Sequence, residues 1–363
     1  MYDAQGKAYL DLISGIAVSL VGHRHPQVVE AIRKQTEKYL HLMVYGEFVQ
    51  SPQVQLASLL VNHLPEPLEQ VYLVNSGSEA VEGALKLAKR YTGRTEIVCF
   101  RKAYHGSTQG ALSVMGDERM KQAFRPLLPD VRILVYNNIE QLQQVSERTA
   151  CVIAESIQGE AGAMVPDAAF MQALRQRCTQ TGALLILDEI QAGYGRSGKL
   201  WAFEHFGIVP DILTLAKGMG GGLPIGAFVA SRAIMQALTE NPVLGHITTF
   251  GGNALCAAAA KATLEVVLDE KLWERAADME LYFRNKLAHP LIRSIRGRGL
   301  MLALEFSDFD QNKLIIDRCI EKGLVTDWFL FADNCLRIAP PLVITPQQAE
   351  DACNIILEVL DGI

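Results

Sequence analysis

The chain has 363 residues, of which 49% are hydrophobic, so it has ample apolar material for a core and is not disordered throughout. Its formal net charge is -6, which lacks the basic excess of a nucleic-acid-binding protein. Seven cysteines without a Cys-x-x-Cys pair argue against a disulfide framework or a metal site and favour a reducing, cytoplasmic setting. We expect no membrane association, because no leader pattern and no apolar run near ~20 residues occurs.

The first residues predict a hairpin with a Gln-Gly turn, and helices are expected over about 26–39 and 52–63. Short aliphatic runs then alternate with helical patterns, as in strands buried between two layers of helices. These runs lie at 71–74, 96–100, 132–135, 150–154, 184–187, 212–215 and 227–230. The alternation predicts an α/β fold with a seven-stranded, mostly parallel sheet.

The pattern changes near residue 255, where a long helix is predicted to begin. A strand at 299–306, a helix near 312–322, a strand at 336–338 and a final helix from Pro346 are expected to follow. We therefore predict a large domain over 40–255 and a smaller α+β domain formed by 1–39 and 256–363.

Residues with polar, charged or nucleophilic side chains follow the predicted strands, at the edge where ligands bind in open α/β sheets. Asn75-Ser76-Gly77-Ser78-Glu79 opens a helix, and Ser76 and Glu79 have capping-box spacing. The same helix carries Glu82 and Lys86 at i,i+4 spacing. Free N–H groups at such a helix start form a phosphate site, although a plain strand-to-helix turn explains this motif equally well.

Asp188 ends one apolar run, and Lys217 follows another. Asp188 is either the cap of the next turn or the partner of a buried cation such as a protonated ring nitrogen. Lys217 is either a lysine that reaches out to water or a neutral amine that forms a Schiff base. A phosphate cradle, an aspartate and a lysine together are what pyridoxal phosphate requires.

With these features, the sequence resembles the class III pyridoxal-phosphate aminotransferases, which include acetylornithine, ornithine and 4-aminobutyrate aminotransferases. The resemblance extends over essentially the whole chain. The matching stretches are GHRHP at 22–26, NSGSEA at 75–80, YHG at 104–106, ESIQGE at 155–160, DEIQ at 188–191, GRSG at 195–198, PD at 210–211, AKG at 216–218, PIGA at 224–227, TTFGGN at 248–253 and RIAPPL at 337–342.

The resemblance implies that 40–255 is a pyridoxal-phosphate-binding domain in which Lys217 is the catalytic lysine and Asp188 pairs with the ring nitrogen. The remaining cofactor-binding residues that it implies are Gly77 and Ser78 at the phosphate, Tyr104 on the ring face, Gln191 at the ring hydroxyl and Thr249 at the phosphate in the neighbouring subunit. That last contact implies a homodimer with shared active sites.

The substrate-binding residues that the resemblance implies are Arg337, Glu160 and Thr248. Arg337 is expected to bind a carboxylate of glutamate or 2-oxoglutarate, and Glu160 to pair with that arginine when the other substrate is bound. A purely structural salt bridge is the alternative. The implied reaction is a ping-pong aldimine mechanism that moves an amino group from an amino acid or ω-amine to 2-oxoglutarate.

Two departures bear on the amino donor. Family members usually carry an arginine that contacts a substrate carboxylate where this chain has Ser107, so the donor either lacks an α-carboxylate or binds it elsewhere. The family pattern also has a further segment before Tyr2, which contributes contacts on the substrate side.

An aminomutase or racemase on the same scaffold is the alternative reaction. A non-catalytic protein is disfavoured because the motif residues are intact, and a nucleotide-binding Rossmann protein is disfavoured because no GxGxxG is present.

Overall fold

A computed structural model describes residues 1–363, whose strands form three separate sheets. In chain order the strands are β1 Leu10–Asp11, β2 Gln70–Val74, β3 Glu96–Phe100, β4 Val131–Leu134, β5 Thr149–Glu155, β6 Leu184–Asp188, β7 Ile212–Leu215, β8 Gly226–Ala230, β9 Ser294–Arg298, β10 Met301–Glu305, β11 Leu324–Val325, β12 Trp328–Phe329 and β13 Ala332–Ile338.

Eleven α-helical segments accompany these strands. They are α1 Ser14–Ala17, α2 Pro26–Thr36, α3 Ser51–Val61, α4 Gly77–Thr92, α5 Gln109–Ser113, α6 Ala168–Thr181, α7 Arg232–Met235, α8 Ala254–Asp269, α9 Leu272–Lys286, α10 Phe309–Glu321 and α11 Pro346–Asp361. No helix among them is both long enough and apolar enough to span a lipid bilayer.

The largest sheet has seven strands in the order β2-β8-β7-β6-β5-β3-β4. Only β8 runs opposite to the others, because it pairs antiparallel with both β2 and β7. The seven aliphatic runs of the sequence correspond to these strands, so the predicted mostly parallel α/β sheet is confirmed. Residues on β3, β5, β6 and β7 are almost completely buried, as expected for strands with helices on both faces.

The smaller sheet is antiparallel, in the order β12-β13-β10-β9. The single strand predicted at 299–306 is wrong in extent, because Gly299 and Leu300 form the turn of a β9–β10 hairpin. The long helix predicted from about residue 255 is α8, which ends at Asp269. Lys271 has φ of +47°, and the separate helix α9 begins at Leu272. The predicted smaller α+β domain is present.

The two sheets lie in different parts of the chain, 70–230 and 294–338. Helix α8 packs against both α2 and α3, so it contacts elements on each side of the predicted boundary at residue 40. The exact division at 40 and 255 stays a prediction.

Helix α4 begins where the sequence placed it, with Ser76 as the N-cap accepting a hydrogen bond from the Glu79 backbone N–H at 3.2 Å. In a regular capping box the Glu79 carboxylate would accept from the backbone N–H of the N-cap residue Ser76. Here it accepts from the preceding backbone N–H, that of Asn75, at 2.6 Å. The expected Glu82–Lys86 pair is wrong. Glu82 accepts hydrogen bonds from Thr108 and from the first N–H groups of α5, because these donors lie closer than the lysine.

The N-terminal segment is bound to the C-terminal third of the chain. Strand β1 pairs in parallel with β11, and α1 is one turn with left-handed backbone angles, φ 44° to 62°. The completely buried Arg196 donates hydrogen bonds to the Leu300 carbonyl at 2.9 Å and to Ser14 Oγ at 3.2 Å. A side chain from the large sheet region therefore joins the N-terminal turn to the smaller sheet.

Candidate active site

A cavity of about 430 Å³ lies at the carboxyl ends of the parallel strands. Its lining includes seven of the residues singled out in the sequence, namely Gly77, Ser78, Tyr104, Glu160, Asp188, Gln191 and Lys217. They come from the ends of β2, β3, β5, β6 and β7, which meet at one edge because these strands are parallel.

One wall of the cavity is the N-terminus of α4, formed by Asn75 to Ser78. The first N–H groups of a helix have no partner within the helix, and the helix dipole places partial positive charge there. Gly106 has φ of +122°, and a Cβ at that position would overlap Ser78 Oγ. Glycine is therefore required for the close approach of this loop to the helix start.

The side chain of Asp188 is fixed from two directions at the end of β6. Its Oδ1 accepts from the backbone N–H of Ile190 at 3.0 Å, and its Oδ2 lies 2.7 Å from Nδ1 of His105. Burial alone lowers the pKa of His105, but the hydrogen bond and charge of Asp188 outweigh it and raise that pKa above its usual value. The side chain of Asp188 is thus held in one orientation in the cavity wall.

Lys217 lies two residues beyond the end of β7, on the same cavity. Burial lowers the pKa of its amine, and the charge of Arg337 acts in the same direction, although Glu160 and Asp188 partly oppose the shift. A lysine with a lowered pKa offers a larger fraction of neutral, nucleophilic amine near neutral pH. The sequence expectation of a lysine withdrawn from water is consistent with this environment.

Glu155 is the last residue of β5 and is buried beneath the same cavity. Its carboxylate accepts hydrogen bonds from the backbone N–H groups of Tyr104 at 3.0 Å and Gly159 at 2.8 Å. Burial raises its pKa to about 7. Glu155 therefore connects the loop that carries the aromatic residue to the loop that carries Glu160.

Arg337 and Glu160 form a buried, bidentate ion pair at the edge of the cavity. Arg337 Nη1 donates to Oε1 of Glu160 at 3.2 Å and Nη2 to Oε2 at 3.1 Å. The carboxylate also accepts from Gln191 Nε2 and from the Leu330 backbone N–H, both at 3.2 Å. Burial tends to raise the pKa of Glu160, but the guanidinium outweighs it and lowers that pKa.

The two threonines expected near the phosphate lie apart from the other site residues. Thr248 Oγ1 accepts a hydrogen bond from Asn75 Nδ2 at 2.9 Å, so it contacts the cavity wall. Thr249 is exposed and is not part of the lining. Ser107 is also exposed, with its hydroxyl 3.2 Å from the Tyr104 hydroxyl.

Sequence reasoning did not assign three charged residues that the structure brings to this site. His105 and Glu155 follow two of the predicted strands, but the sequence does not indicate which buried carboxylate a histidine will contact. The third is Asp327, whose Oδ1 accepts from Arg337 Nε at 2.8 Å. It lies opposite Arg337 across a hairpin, and the register of that hairpin was not predicted.

The residues present fit pyridoxal phosphate. The helix start and the glycine-dependent approach at Gly106 form a cradle for an anion, and the carboxylate of Asp188 is held for a protonated ring nitrogen. The amine of Lys217 lies on the same cavity for an aldehyde carbon. The buried Nε2 of His105 has no hydrogen-bond partner in the protein, which leaves one donor or acceptor for a bound group.

Comparison with known proteins gives consistent results over nearly the full chain. A family model described as aminotransferase class-III matches residues 1–360. Acetylornithine aminotransferase of Methanopyrus kandleri is 38% identical over 358 residues, which cover 97% of this chain and 90% of that protein. A LysW-aminoadipate semialdehyde/glutamate semialdehyde transaminase of Sulfolobus acidocaldarius is 37% identical, covering 99% and 92%.

Among solved structures, the chain is similar to the ornithine aminotransferase from Toxoplasma gondii, with a TM-score of 0.93 and 30% identity. The similarity covers 100% of this chain and 87% of that one, whose active site holds the cofactor at partial occupancy.

Proposed function

The chain belongs to the class III aminotransferases and is a transaminase that depends on pyridoxal phosphate, and from that premise we propose its half-reactions. An amino acid or ω-amine donor gives up its amino group and leaves as a carbonyl compound before 2-oxoglutarate enters to receive the group. The observation that carries this proposal is one cavity lined by Lys217, Asp188 and Glu160, with Arg337 paired to Glu160 at its edge.

When bound, pyridoxal phosphate supplies a carbonyl carbon that takes up an amino group and a ring that accepts an electron pair. We assign Asp188 to the ring nitrogen, whose proton its fixed carboxylate retains. Lys217 Nζ would hold the aldehyde carbon of the cofactor and, as a neutral amine, would accept a proton from the donor carbon and give it back to the cofactor carbon. Four further residues line the cavity: Gly77 and Ser78 would hold the phosphate, Tyr104 would cover the ring face and Gln191 would bind the ring hydroxyl.

We assign the choice between substrates to Glu160 and Arg337. While the donor reacts, the two side chains remain paired, and the buried guanidinium is covered by a carboxylate. When the 2-oxo acid enters, its carboxylate replaces that of Glu160 on the same guanidinium edge. We also assign Thr248 to substrate binding, since its hydroxyl contacts the cavity wall at Asn75. An aminomutase or racemase needs no arginine for a second substrate, so the pair favours the transaminase reaction.

We further propose that the active unit is a homodimer, in which Thr249 of one subunit reaches the phosphate bound by the other. Thr249 is exposed in the single chain, and the same segment carries the exposed apolar side chains of Val243, Ile247 and Phe250. Apolar exposure of this density is typical of a surface that another chain covers.

Visible spectroscopy of the purified protein with added pyridoxal phosphate tests the proposal. The band of the lysine-bound cofactor should bleach with one member of a panel of ornithine, acetylornithine, 4-aminobutyrate, lysine and glutamate, and 2-oxoglutarate should restore it. A product formed from the donor without any 2-oxo acid would instead support an aminomutase or racemase. A protein that develops no such band contradicts the assignment of Lys217.

A further inference from the structure

Arg337 contacts three further groups besides the carboxylate of Glu160. Its Nε donates to Oδ1 of Asp327 at 2.8 Å, and its Nη2 also donates to the carbonyl of Trp328 at 3.2 Å. The guanidinium carbon lies 4.2 Å from the centre of the Phe329 ring, within the range of a cation–π contact. These three groups are consecutive residues on one strand segment.

The backbone fixes Asp327 directly opposite Arg337. The Arg337 backbone N–H donates to the Asp327 carbonyl at 2.9 Å, and the Thr326 hydroxyl donates to the Arg337 carbonyl at 2.6 Å. The two residues thus form a cross-strand pair whose register does not depend on Glu160.

Asp327 and Glu160 use different edges of the guanidinium. Asp327 accepts from Nε, whereas Glu160 accepts from Nη1 and Nη2. A guanidinium offers its five N–H groups in a fixed planar fork, so a partner at Nε sets the direction in which the Nη1–Nη2 edge faces.

We propose that Asp327 is a positioning residue for the carboxylate-binding arginine. It stays on Nε through both half-reactions and keeps the Nη1–Nη2 edge aimed at the place that Glu160 and the substrate carboxylate occupy in turn. This inference rests on the proposed function of Arg337. It adds that the arginine does not reorient when Glu160 leaves.

The charges support such a fixed arrangement. Asp327 and Arg337 together are neutral, and the Glu160 carboxylate adds one negative charge. A substrate carboxylate that replaces Glu160 restores the same total charge on the same donors. The Leu330 backbone N–H, which now donates to Glu160, becomes available to the incoming carboxylate as well.

The test compares steady-state constants of the dimeric holoenzyme for two kinds of acceptor. One is 2-oxoglutarate or pyruvate, which carries a carboxylate, and the other is butanal, which carries none. Asp327→Ala removes the acceptor from Nε, Asp327→Leu removes it while filling the volume, and Asp327→Asn keeps an oxygen acceptor without the charge. Exposed Asp333 on β13 supplies the matched control, Asp333→Ala.

We expect Asp327→Ala and Asp327→Leu to raise KM for the 2-oxo acids by about 10- to 100-fold, since a hydrogen bond to a charged group is lost. The KM for butanal should not change, and Asp327→Asn should recover most of the loss. An unchanged KM for 2-oxo acids in both acceptor-free variants overturns the inference, and so does an equal rise for butanal, which indicates a merely structural role. A wild-type enzyme that uses pyruvate but not 2-oxoglutarate overturns the proposed acceptor and leaves this test intact.

Discussion

The Nδ1 atom of His105 lies 2.7 Å from Oδ2 of Asp188, and the side chains of both residues are almost completely buried. The histidine thereby occupies the oxygen that does not accept from the Ile190 backbone N–H. The aspartate is held in one orientation from both sides, and the negative charge it needs for a ring nitrogen is compensated within the protein.

Replacing this histidine tests the importance of that orientation. His105→Phe keeps the ring volume but removes the donor, so we expect kcat to fall by about 10- to 100-fold. His105→Asn can place an amide N–H near the position of Nδ1 and should retain more activity. Steady-state kinetics with thermal unfolding as a control separates these effects, and equal kcat values for the two variants would contradict the role.

Lys217→Ala removes the proposed nucleophile. We expect turnover to fall by roughly 10³-fold or more, because both the Schiff base and the proton transfer are lost, while the cofactor still binds without a covalent bond. Product formation and the absorbance of the bound cofactor are measured together. Lys199→Ala, at an exposed lysine, is the matched control, and full activity of Lys217→Ala would exclude Lys217 as the catalytic lysine.

The amine of Lys217 should also react at lower pH than an ordinary lysine. Its pKa is lowered mainly by burial, so the neutral form appears at lower pH. Cofactor-free protein is treated with an amine-acylating reagent between pH 6 and pH 10, and the modified peptides are quantified by mass spectrometry. A Lys217 peptide whose labelling follows the curve of a model lysine peptide would contradict the lowered pKa.

Ser107→Arg should widen the choice of donors. Ser107 is exposed beside the Tyr104 hydroxyl, and an arginine there would offer a second guanidinium to a substrate carboxylate. We expect KM for acetylornithine to fall by about tenfold, with little change for a donor that has no carboxylate. Ser107→Gln, similar in length but uncharged, is the control, and an equal gain with that variant would rule out the charge as the cause.

Thr249→Ala tests the shared active site. If Thr249 binds the phosphate in the partner subunit, loss of its hydroxyl should raise the Kd for pyridoxal phosphate by about tenfold. The measurement is a cofactor titration, accompanied by light scattering to verify that the variant and wild type have the same mass. Thr179→Ala on α6 is a remote control, and a Kd that does not change argues against the contact.

The parts of the fold that could be predicted are those with strong local patterns. The seven strands of the large sheet are rich in aliphatic residues, and their alternation with helices leaves few topologies. Strand β9, Ser294–Arg298, was missed because it is polar and contains Gly297, so pairing with β10 rather than its own sequence makes it a strand. The break at Lys271 carries no glycine or proline signal at all.

The candidate site likewise has residues that local patterns predict and residues that depend on contacts between distant segments. Lys217, Asp188 and the turn at Gly77 follow strands that run in the same direction, so topology alone brings them to one edge of the sheet. Asp327 depends on the register of a hairpin, and the contact of Glu82 depends on where the loop before α5 returns to α4. Such contacts join distant segments, and local sequence patterns carry no information about them.

The pairing of β1 with β11 has a consequence for synthesis of the protein. Leu10 is aligned with Leu324, so β1 cannot pair until β11 has been synthesised, 314 residues later. At a synthesis rate of about 5–20 residues per second, the wait is roughly 15–60 s. Leu12, which follows this strand directly and is fully buried in the folded protein, donates its backbone N–H to the Val325 carbonyl, a second contact that forms only then. Arg337, which pairs with Glu160 of the cavity lining, is also synthesised only near the end of translation, so the candidate site is completed late in synthesis.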